Sequence, residues 1–190
     1  MKPGEANTRL AGADRAAVRA GYHRRAMSSE RFRPSVTVAA IVERDGRYLL
    51  VEEHTPEGLR LNNPAGHLEP GESPLQGVVR ETLEETACHF AAEALVGVYL
   101  ARLQRPSTGE DITYLRFAFC GTVGPAEPGR VLDSGIVRTL WLTLQEIEAS
   151  RARHRSPLLW QCVADHAAGR RHPMALLSTD ASVYAGGSGF

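Results

Sequence analysis

Residues 66–88, GHLEPGESPLQGVVRETLEETAC, constrain the fold of this chain more than any other stretch. Ser73 is an N-cap candidate, Pro74 suits a first helical position, and Gln76 stands where a capping box needs it. The pattern predicts a helix from residue 73 to about residue 88. On a helical wheel Leu75, Val78, Val79, Thr82, Leu83 and Thr86 share one broad side that can pack on a sheet. Glu81, Glu84 and Glu85 share the opposite side, and spacings of three and four let their carboxylates converge. Like charges so placed destabilise a bare helix, which calls for a compensating cation. A hard divalent ion is the natural one, and magnesium needs only a few carboxylates plus water and phosphate oxygens. Gly77 lies on the carboxylate side at a cost of about 1 kcal/mol relative to alanine. Two readings are open: its missing side chain leaves room for a phosphate or hydrated metal, or it is a tolerated defect.

Strand patterns flank this helix. Residues 35–43 (SVTVAAIVE) are β-branched, Asp45-Gly46 is a hairpin turn signal, and residues 47–53 (RYLLVEE) return. Residues 64–72, with Gly66, Pro70 and Gly71, read as a loop. Further strands are expected over 95–104, 112–123 and 137–142, the middle one alternating through Tyr114, Arg116, Ala118 and Cys120. Residues 106–111 and 124–135 read as connections. Helices are expected over 143–150 and 157–168, the second with Ser156 as N-cap, Pro157 at its first position and Gly169 past its end. Strands on both sides of one helix, with a terminal helix, predict an α/β sandwich with a mixed sheet. Residues 1–31 are rich in Ala and Arg and poor in large apolar side chains. They read as a tail or upstream extension, leaving a domain over 32–178 and a flexible tail over 179–190.

Composition narrows the function classes. Lys and Arg together number 22, as do Asp and Glu, which excludes a nucleic-acid polycation and a strongly acidic binder. Cys88, Cys120 and Cys162 stand far apart with no CxxC pairing, and the seven histidines show no zinc spacing. No apolar run has the length of a membrane span and no secretory signal is evident. The expectation is a cytoplasmic, single-domain monomer or homodimer whose partner is a small molecule rather than nucleic acid or membrane.

The spacing across the helix is more telling than its acidity. Gly66, five residues, Glu72, seven residues, Arg80-Glu81, two residues, Glu84-Glu85 resembles the Nudix box at every polar position. Six such positions coincide by chance on the order of 10⁻⁷ per start site at ordinary residue frequencies. FRPSVTVAA, YLLVEE, NPAGHLE, RFAF, the Trp141 strand and RSPL at 155–158 extend the resemblance over about 32–177, toward the NudJ-type phosphatase branch. Three positions depart from the box: Thr82 where an aliphatic residue is usual, Ala87 in place of glycine, and Cys88 at the last apolar position. Without that glycine the helix is expected to run on toward Phe90.

The resemblance implies a Nudix α/β/α sandwich. It also implies magnesium-dependent hydrolysis, with manganese as a substitute, of phosphoanhydride bonds in nucleoside di- or triphosphates or thiamin-pathway pyrophosphates. Glu81, Glu84, Glu85 and the Gly66 carbonyl would hold the metal. Glu72 would hold the loop or position water, and Arg80 would orient the carboxylates through Glu84 or Glu72. The general base varies in the family; here Asp133 stands in the comparable place, or is an ordinary turn residue, with Glu110 and Asp111 as outsiders. His67, Arg116 and Tyr114 are substrate-binding candidates, against plain readings as a backbone-bonded loop histidine, a surface charge and a core aromatic. Tyr99, Phe117, Trp141, Arg102 and Arg105 carry the same two readings, and Glu52-Glu53 ends a strand where it either neighbours the site or, the safer reading, is a solvated strand end. A Nudix-fold module that senses nucleotides without cleaving them is the alternative, disfavoured because Glu72, Glu81, Glu84 and Glu85 are all kept.

Overall fold

The computed structural model describes residues 31–105 and 109–185. The expected N-terminal tail and the final five residues of the expected C-terminal one lie outside the described residues. From Pro34 onward the chain builds a seven-stranded mixed sheet. Strands β1 (Ser35–Arg44) and β2 (Arg47–Thr55) form the hairpin read from Asp45-Gly46. Both turn residues have positive φ, 52° and 75°, as a tight twisted hairpin requires. The remaining strands are β3 (Gly58–Asn62), β4 (Ala65–His67), β5 (Cys88–Arg105), β6 (Glu110–Ala126) and β7 (Ile136–Thr143). Their order is β3-β2-β1-β6-β5, with β4 on β1 and β7 on β2; the β1–β6 pair is parallel and the others antiparallel. Strands β1 and β2 pair only at Glu43↔Tyr48 and Arg44↔Arg47. Beyond those pairs β1 turns to β6 and β4, while β2 turns to β3 and β7.

Helix α1 (Pro74–Thr86) covers one face of the sheet; α2 (Leu144–Ala149) and α3 (Pro157–Ala167) cover the other. Period-two alternation decides which core each strand residue joins. Val38, Ala40 and Val42 of β1, with Leu49 and Phe119, pack with Val78 of α1. Ile41, Tyr48, Leu50, Ala118 and Cys120 pack with Ile147, Leu158, Leu159, Cys162 and Val163. This is the expected α/β/α sandwich.

Two expectations about boundaries are corrected. Helix α1 does not run on toward Phe90. It ends at Thr86, and Ala87 takes the left-handed cap itself (φ 59°, ψ 15°), its N–H donating to Leu83 O at 2.9 Å. A non-glycine residue is strained there by roughly 1–2 kcal/mol. The start of β5 outweighs that: Cys88 and Phe90 pair with Ala126 and Val123, Phe90 enters the core, and Glu127 N–H donates to Ala87 O at 2.8 Å. Second, β5 begins at Cys88 rather than near residue 95. Register shifts at Cys88/Phe90, Ala92/Ala94 and Leu95/Gly97 interrupt its alternation, so no period-two pattern marks its first half. The expected loop over 64–72 likewise contains β4, three residues whose pairing Thr37↔His67, Val38↔Gly66 and Ala39↔Ala65 comes from the backbone ladder and not from side-chain pattern.

Candidate active site

The start of α1 is the one expected. Ser73 Oγ accepts from Gln76 N–H at 3.2 Å, and Gln76 Oε1 accepts from Ser73 N–H at 2.9 Å. Thr82 and Thr86 belong to its sheet-facing side because each hydroxyl bonds back to a helix carbonyl, Thr82 to Val78 O at 2.7 Å and Thr86 to Thr82 O at 2.6 Å. Leu75 departs from the wheel: it is 41% exposed.

The other side of α1 faces a cleft of about 460 Å³, the size of a small-molecule site. Both halves of the diverging sheet line it. Arg80, Glu81, Glu84 and Glu85 come from α1, Gly66 and His67 from β4, Tyr114 and Arg116 from β6, and Asp133 from the loop before β7. Glu72 does not line the cleft; it reaches the site through Arg80.

Arg80 organises the glutamates. All five of its N–H donors are used: two on Glu72 (3.0 and 2.8 Å), one each on Glu81 and Glu84 (2.9 Å each), and one on His67 O (3.0 Å). Both partners named for it, Glu84 and Glu72, are therefore engaged at once. The hydrogen bonds from Arg80 hold the Glu72 carboxyl below the usual range, and Glu69 N–H adds to that. Gly77 serves this arrangement in a way neither sequence reading anticipated. A Cβ there would stand 2.8 Å from Glu72 Oε1 and 3.1 Å from Leu68 Cδ1, so its missing side chain makes room for the Glu72 carboxylate.

Glu81 and Glu85 are buried, each 8% exposed, so this face of α1 is not a solvated acidic stripe. Burial pushes the Glu81 carboxyl up against the opposing pull of Arg80. Glu85 is pushed up to about 9, by burial first and then by the charges of Glu81, Glu53 and Asp133, against the Ala65 N–H, which donates to Oε2 at 2.8 Å and favours its charged form. Gly66 lies directly against Glu81, where an added Cβ would fall 2.1 Å from Oε1. Gly66→Ala is expected to fold, because the carboxylate is the end of a flexible side chain. It should displace Glu81 from Arg80 and lower turnover at least about 10-fold, with kcat and Tm measured on the same preparation. Unchanged kcat would show that the Glu81 position is not needed.

Asp133 is a turn residue and a cleft residue together. Its N–H donates to Glu84 O at 3.0 Å, its carbonyl accepts from Ile136 N–H at 3.0 Å, and its charge acts on Glu81 and Glu85. Glu110 and Asp111 do not line the cleft and pair with Arg105 and Arg102. His67 is in a strand, with its carbonyl on Arg80 and its ring 6.3 Å from the Tyr114 ring. The plain reading of Arg116 as surface charge is corrected: it is 7% exposed, because its period-two neighbours Ala118 and Cys120 carry that face of β6 into the core. Tyr99, Phe117 and Trp141 do not line the cleft and pack in or against the core, and Arg102 and Arg105 are paired with acids at the cleft rim.

Glu53 takes the reading that the sequence set second, beside the site. It is no solvated strand end: it lines the cleft, its Oε2 pairs with Arg155, its Oε1 has no partner among the described residues, and burial pushes its carboxyl up. Glu52 beside it is buried between Arg138 and Arg153. Alternation along RYLLVEE sends adjacent side chains to opposite faces and could not have placed both; a register shift falls between Glu52 and Glu53, and their arginine partners come from distant segments.

Among the described residues no group of three or more His, Cys, Asp or Glu side chains is closed into metal-ligand geometry; Glu81 and Glu84 share Arg80 Nη1 instead. The donor set nevertheless fits a hard cation. Every candidate ligand is an oxygen, three of the carboxylates are raised by burial, and Glu53 Oε1 is an orphaned acceptor beside them.

Comparison with known proteins agrees with this geometry. The NUDIX domain family model matches residues 31–161. The phosphatase NudJ of Escherichia coli K12 is 31% identical over 147 residues, covering 77% of this chain and 92% of that protein. A solved NUDIX hydrolase from Nitrosomonas europaea is 50% identical with a TM-score of 0.71, covering 78% of this chain and 98% of that one. A MutT NUDIX hydrolase from Burkholderia pseudomallei, 21% identical over 70% of this chain and 98% of its own, shares the fold with a TM-score of 0.56. With Glu81 and Glu84 held by Arg80 beside Glu85 on one cleft, the chain belongs to the Nudix hydrolase family, near NudJ, and is a Nudix pyrophosphohydrolase.

Proposed function

We propose that this chain hydrolyses phosphoanhydride bonds of small nucleoside di- or triphosphates or thiamin-pathway pyrophosphates, with magnesium as its cofactor and manganese as a substitute. The observation that carries the reading is the gathering of Glu81, Glu84 and Glu85 on one cleft with Gly66 pressed against Glu81. Glu81, Glu84, Glu85 and the Gly66 carbonyl hold the metal. When bound, a divalent ion neutralises the phosphate oxygens that otherwise shield phosphorus and lowers the pKa of the attacking water. Asp133 would accept a proton from the attacking water, a role supported by its facing the cleft beside Glu81 and Glu85. Arg80 and Glu72 are positioning residues: the ion pairs between them keep the glutamates aimed inward. His67 and Tyr114 contact the substrate. Residues 32–178 are the catalytic domain, working in the cytoplasm as a monomer or homodimer.

Release of phosphate and pyrophosphate from a panel of di- and triphosphates, with magnesium and with EDTA, tests the reading. Turnover is expected only with metal and is expected to strengthen toward alkaline pH. No release from any substrate at any pH would sink it and favour a silent sensing module.

The pH dependence of stability has a definite sign. The Glu85 carboxyl is raised in the folded state by burial, so the folded protein binds more protons than the unfolded one between its ordinary value and about 9. Stability from this group is full below the ordinary carboxylate range and is lost as pH rises through that window. In EDTA, Tm is expected to fall as pH rises across this range, and the Tm gain on adding magnesium is expected to grow. A magnesium-induced gain that shrinks with rising pH would contradict the assignment of Glu85 as a ligand.

A further inference from the structure

Six buried side-chain polar atoms have no hydrogen-bond partner among the described residues, and four belong to residues that line the cleft: Glu53 Oε1, Asn62 Oδ1, Arg116 Nη1 and Ser156 Oγ. Folded proteins leave few such atoms, so their concentration on one cleft marks where ligand atoms are needed. They divide by chemistry. Glu53 and Asn62 offer acceptors; the Asn62 side chain hydrogen-bonds to Glu53, whose charge acts on Glu85, so both belong with the carboxylates. Arg116 and Ser156 offer donors and require an anion.

Arg116 forms no salt bridge among the described residues. It projects from β6 opposite Thr37, whose Oγ1 is 3.5 Å from its Nε. The charged groups facing it are Glu85, Glu53 and Arg155. Glu53 is paired to Arg155, and Glu85 accepts from Ala65 N–H. The Cys162 thiol beside Arg116 is pushed up to about 12 by burial and stays neutral. A guanidinium that is 7% exposed, carries a free N–H and forms no salt bridge among the described residues is a cation built into the wall of a cleft.

Ser156 brings a second, independent set of donors to the same wall. It precedes the eleven-residue α3 as N-cap, with φ −152° and ψ 161°, yet its hydroxyl makes no capping bond. N-cap serines ordinarily use that oxygen on the first turn. Pro157 has no N–H, so the first free backbone donor of the helix is Leu158, and Arg155, Ser156, Pro157 and Leu158 all line the cleft. A helix start with an uncommitted hydroxyl beside a buried arginine with a free N–H suits a tetrahedral anion with several acceptor oxygens.

We propose that Arg116, Ser156 and the first turn of α3 form a phosphate-binding subsite, separate from the glutamate cluster, that holds a phosphate group of the substrate other than the one attacked. The proposal rests on reading the cleft as a phosphoanhydride site and adds to it a metal-independent anchor. It also gives a role to the RSPL segment, which contributes Ser156 and the α3 start.

The test is calorimetric titration of the full chain with inorganic phosphate in EDTA at constant ionic strength, with acetate as comparison anion, for wild type, Arg116→Met and Ser156→Ala. Wild type is expected to bind phosphate more tightly than acetate. Affinity should fall at least about 10-fold in Arg116→Met and about 3-fold in Ser156→Ala. With magnesium and a cleaved di- or triphosphate, both variants are expected to raise KM more than they lower kcat, since the lost contact is made in ground and transition states alike. Equal phosphate affinity in wild type and Arg116→Met, or acetate binding as tightly as phosphate, would overturn the subsite. Should Arg116→Met not fold, Ser156→Ala decides, because its hydroxyl has no bond to lose; unchanged affinity there overturns the subsite as well. Arg116-dependent phosphate binding without hydrolysis of any substrate would sink the catalytic reading and leave the subsite standing. Hydrolysis with Arg116-independent phosphate binding would do the reverse.

Discussion

Glu85→Gln is expected to lower kcat by on the order of 10²-fold or more while leaving the protein folded. The substitution keeps an amide oxygen to accept from Ala65 N–H and removes only the ionisable oxygen. Because burial holds this carboxyl at about 9, a neutral side chain resembles its metal-free state at neutral pH. In EDTA the variant should therefore be as stable as wild type or more so, and its Tm should no longer fall with rising pH through this group. With magnesium, the Tm gain seen in wild type should shrink. Activity and stability thus move independently, which separates a ligand from a structural residue. A variant with wild-type turnover would show that the cation is held elsewhere.

Arg80→Met is expected to act in the opposite pattern, weakening the fold as well as the reaction. Four of its five hydrogen bonds hold three carboxylates, of which Glu72 and Glu81 are largely buried, and the fifth goes to His67 O. Removing one partner of a largely buried ion pair costs about 3–5 kcal/mol. The lower end applies here, because the freed carboxylates can take up protons. For a domain of this size about 3 kcal/mol lowers Tm by roughly 6–12 °C. Magnesium should restore part of that loss, since it supplies positive charge to the same oxygens. Lysine should rescue poorly, because an ammonium cannot reproduce the two-point contact with Glu72 while also reaching Glu81, Glu84 and His67 O. Thermal denaturation with and without magnesium measures all of this. A Tm within about 2 °C of wild type in EDTA would show that Arg80 does not hold the cluster together.

The two variants distinguish different failures of one site. Glu85 lies deep, with a backbone N–H as its hydrogen-bond donor, so its loss removes a ligand from an intact frame. Arg80 is the frame, tying α1 to β4 through His67 O and to the preceding loop through Glu72. This division explains why Glu72, outside the cleft, still belongs to the functional set. It holds Arg80 by two oxygens, and Gly77 leaves space for it to do so.

Much of this was legible from local order. The capping box at Ser73 and Gln76, the Asp45-Gly46 turn, the β-branched run of β1 and the alternation of β6 are rules that act within a few residues, so they can be read without knowing what packs where. The convergence of Glu81, Glu84 and Glu85 is equally local, a consequence of helical spacing. Where local order is broken by partners distant in sequence, the reading failed. The end of α1 at Ala87 depends on the pairing of β5 with β6, some forty residues further on. The inward turn of Glu53 depends on Arg155, a hundred residues away, and the burial of Arg116 depends on α3 covering that face of β6.

The chain's own order of residues determined the α/β class, the helix that carries the acids, and the family whose box that helix bears, because each follows from short-range periodicity and spacing. Only the tertiary structure decided which charges are satisfied and which are left waiting. Burial and pairing belong to the whole fold: the same arginine is a solvated surface group in one packing and, at position 116, a buried cation with a free N–H in the wall of a cleft. That difference lies in desolvation, which no spacing along the chain encodes.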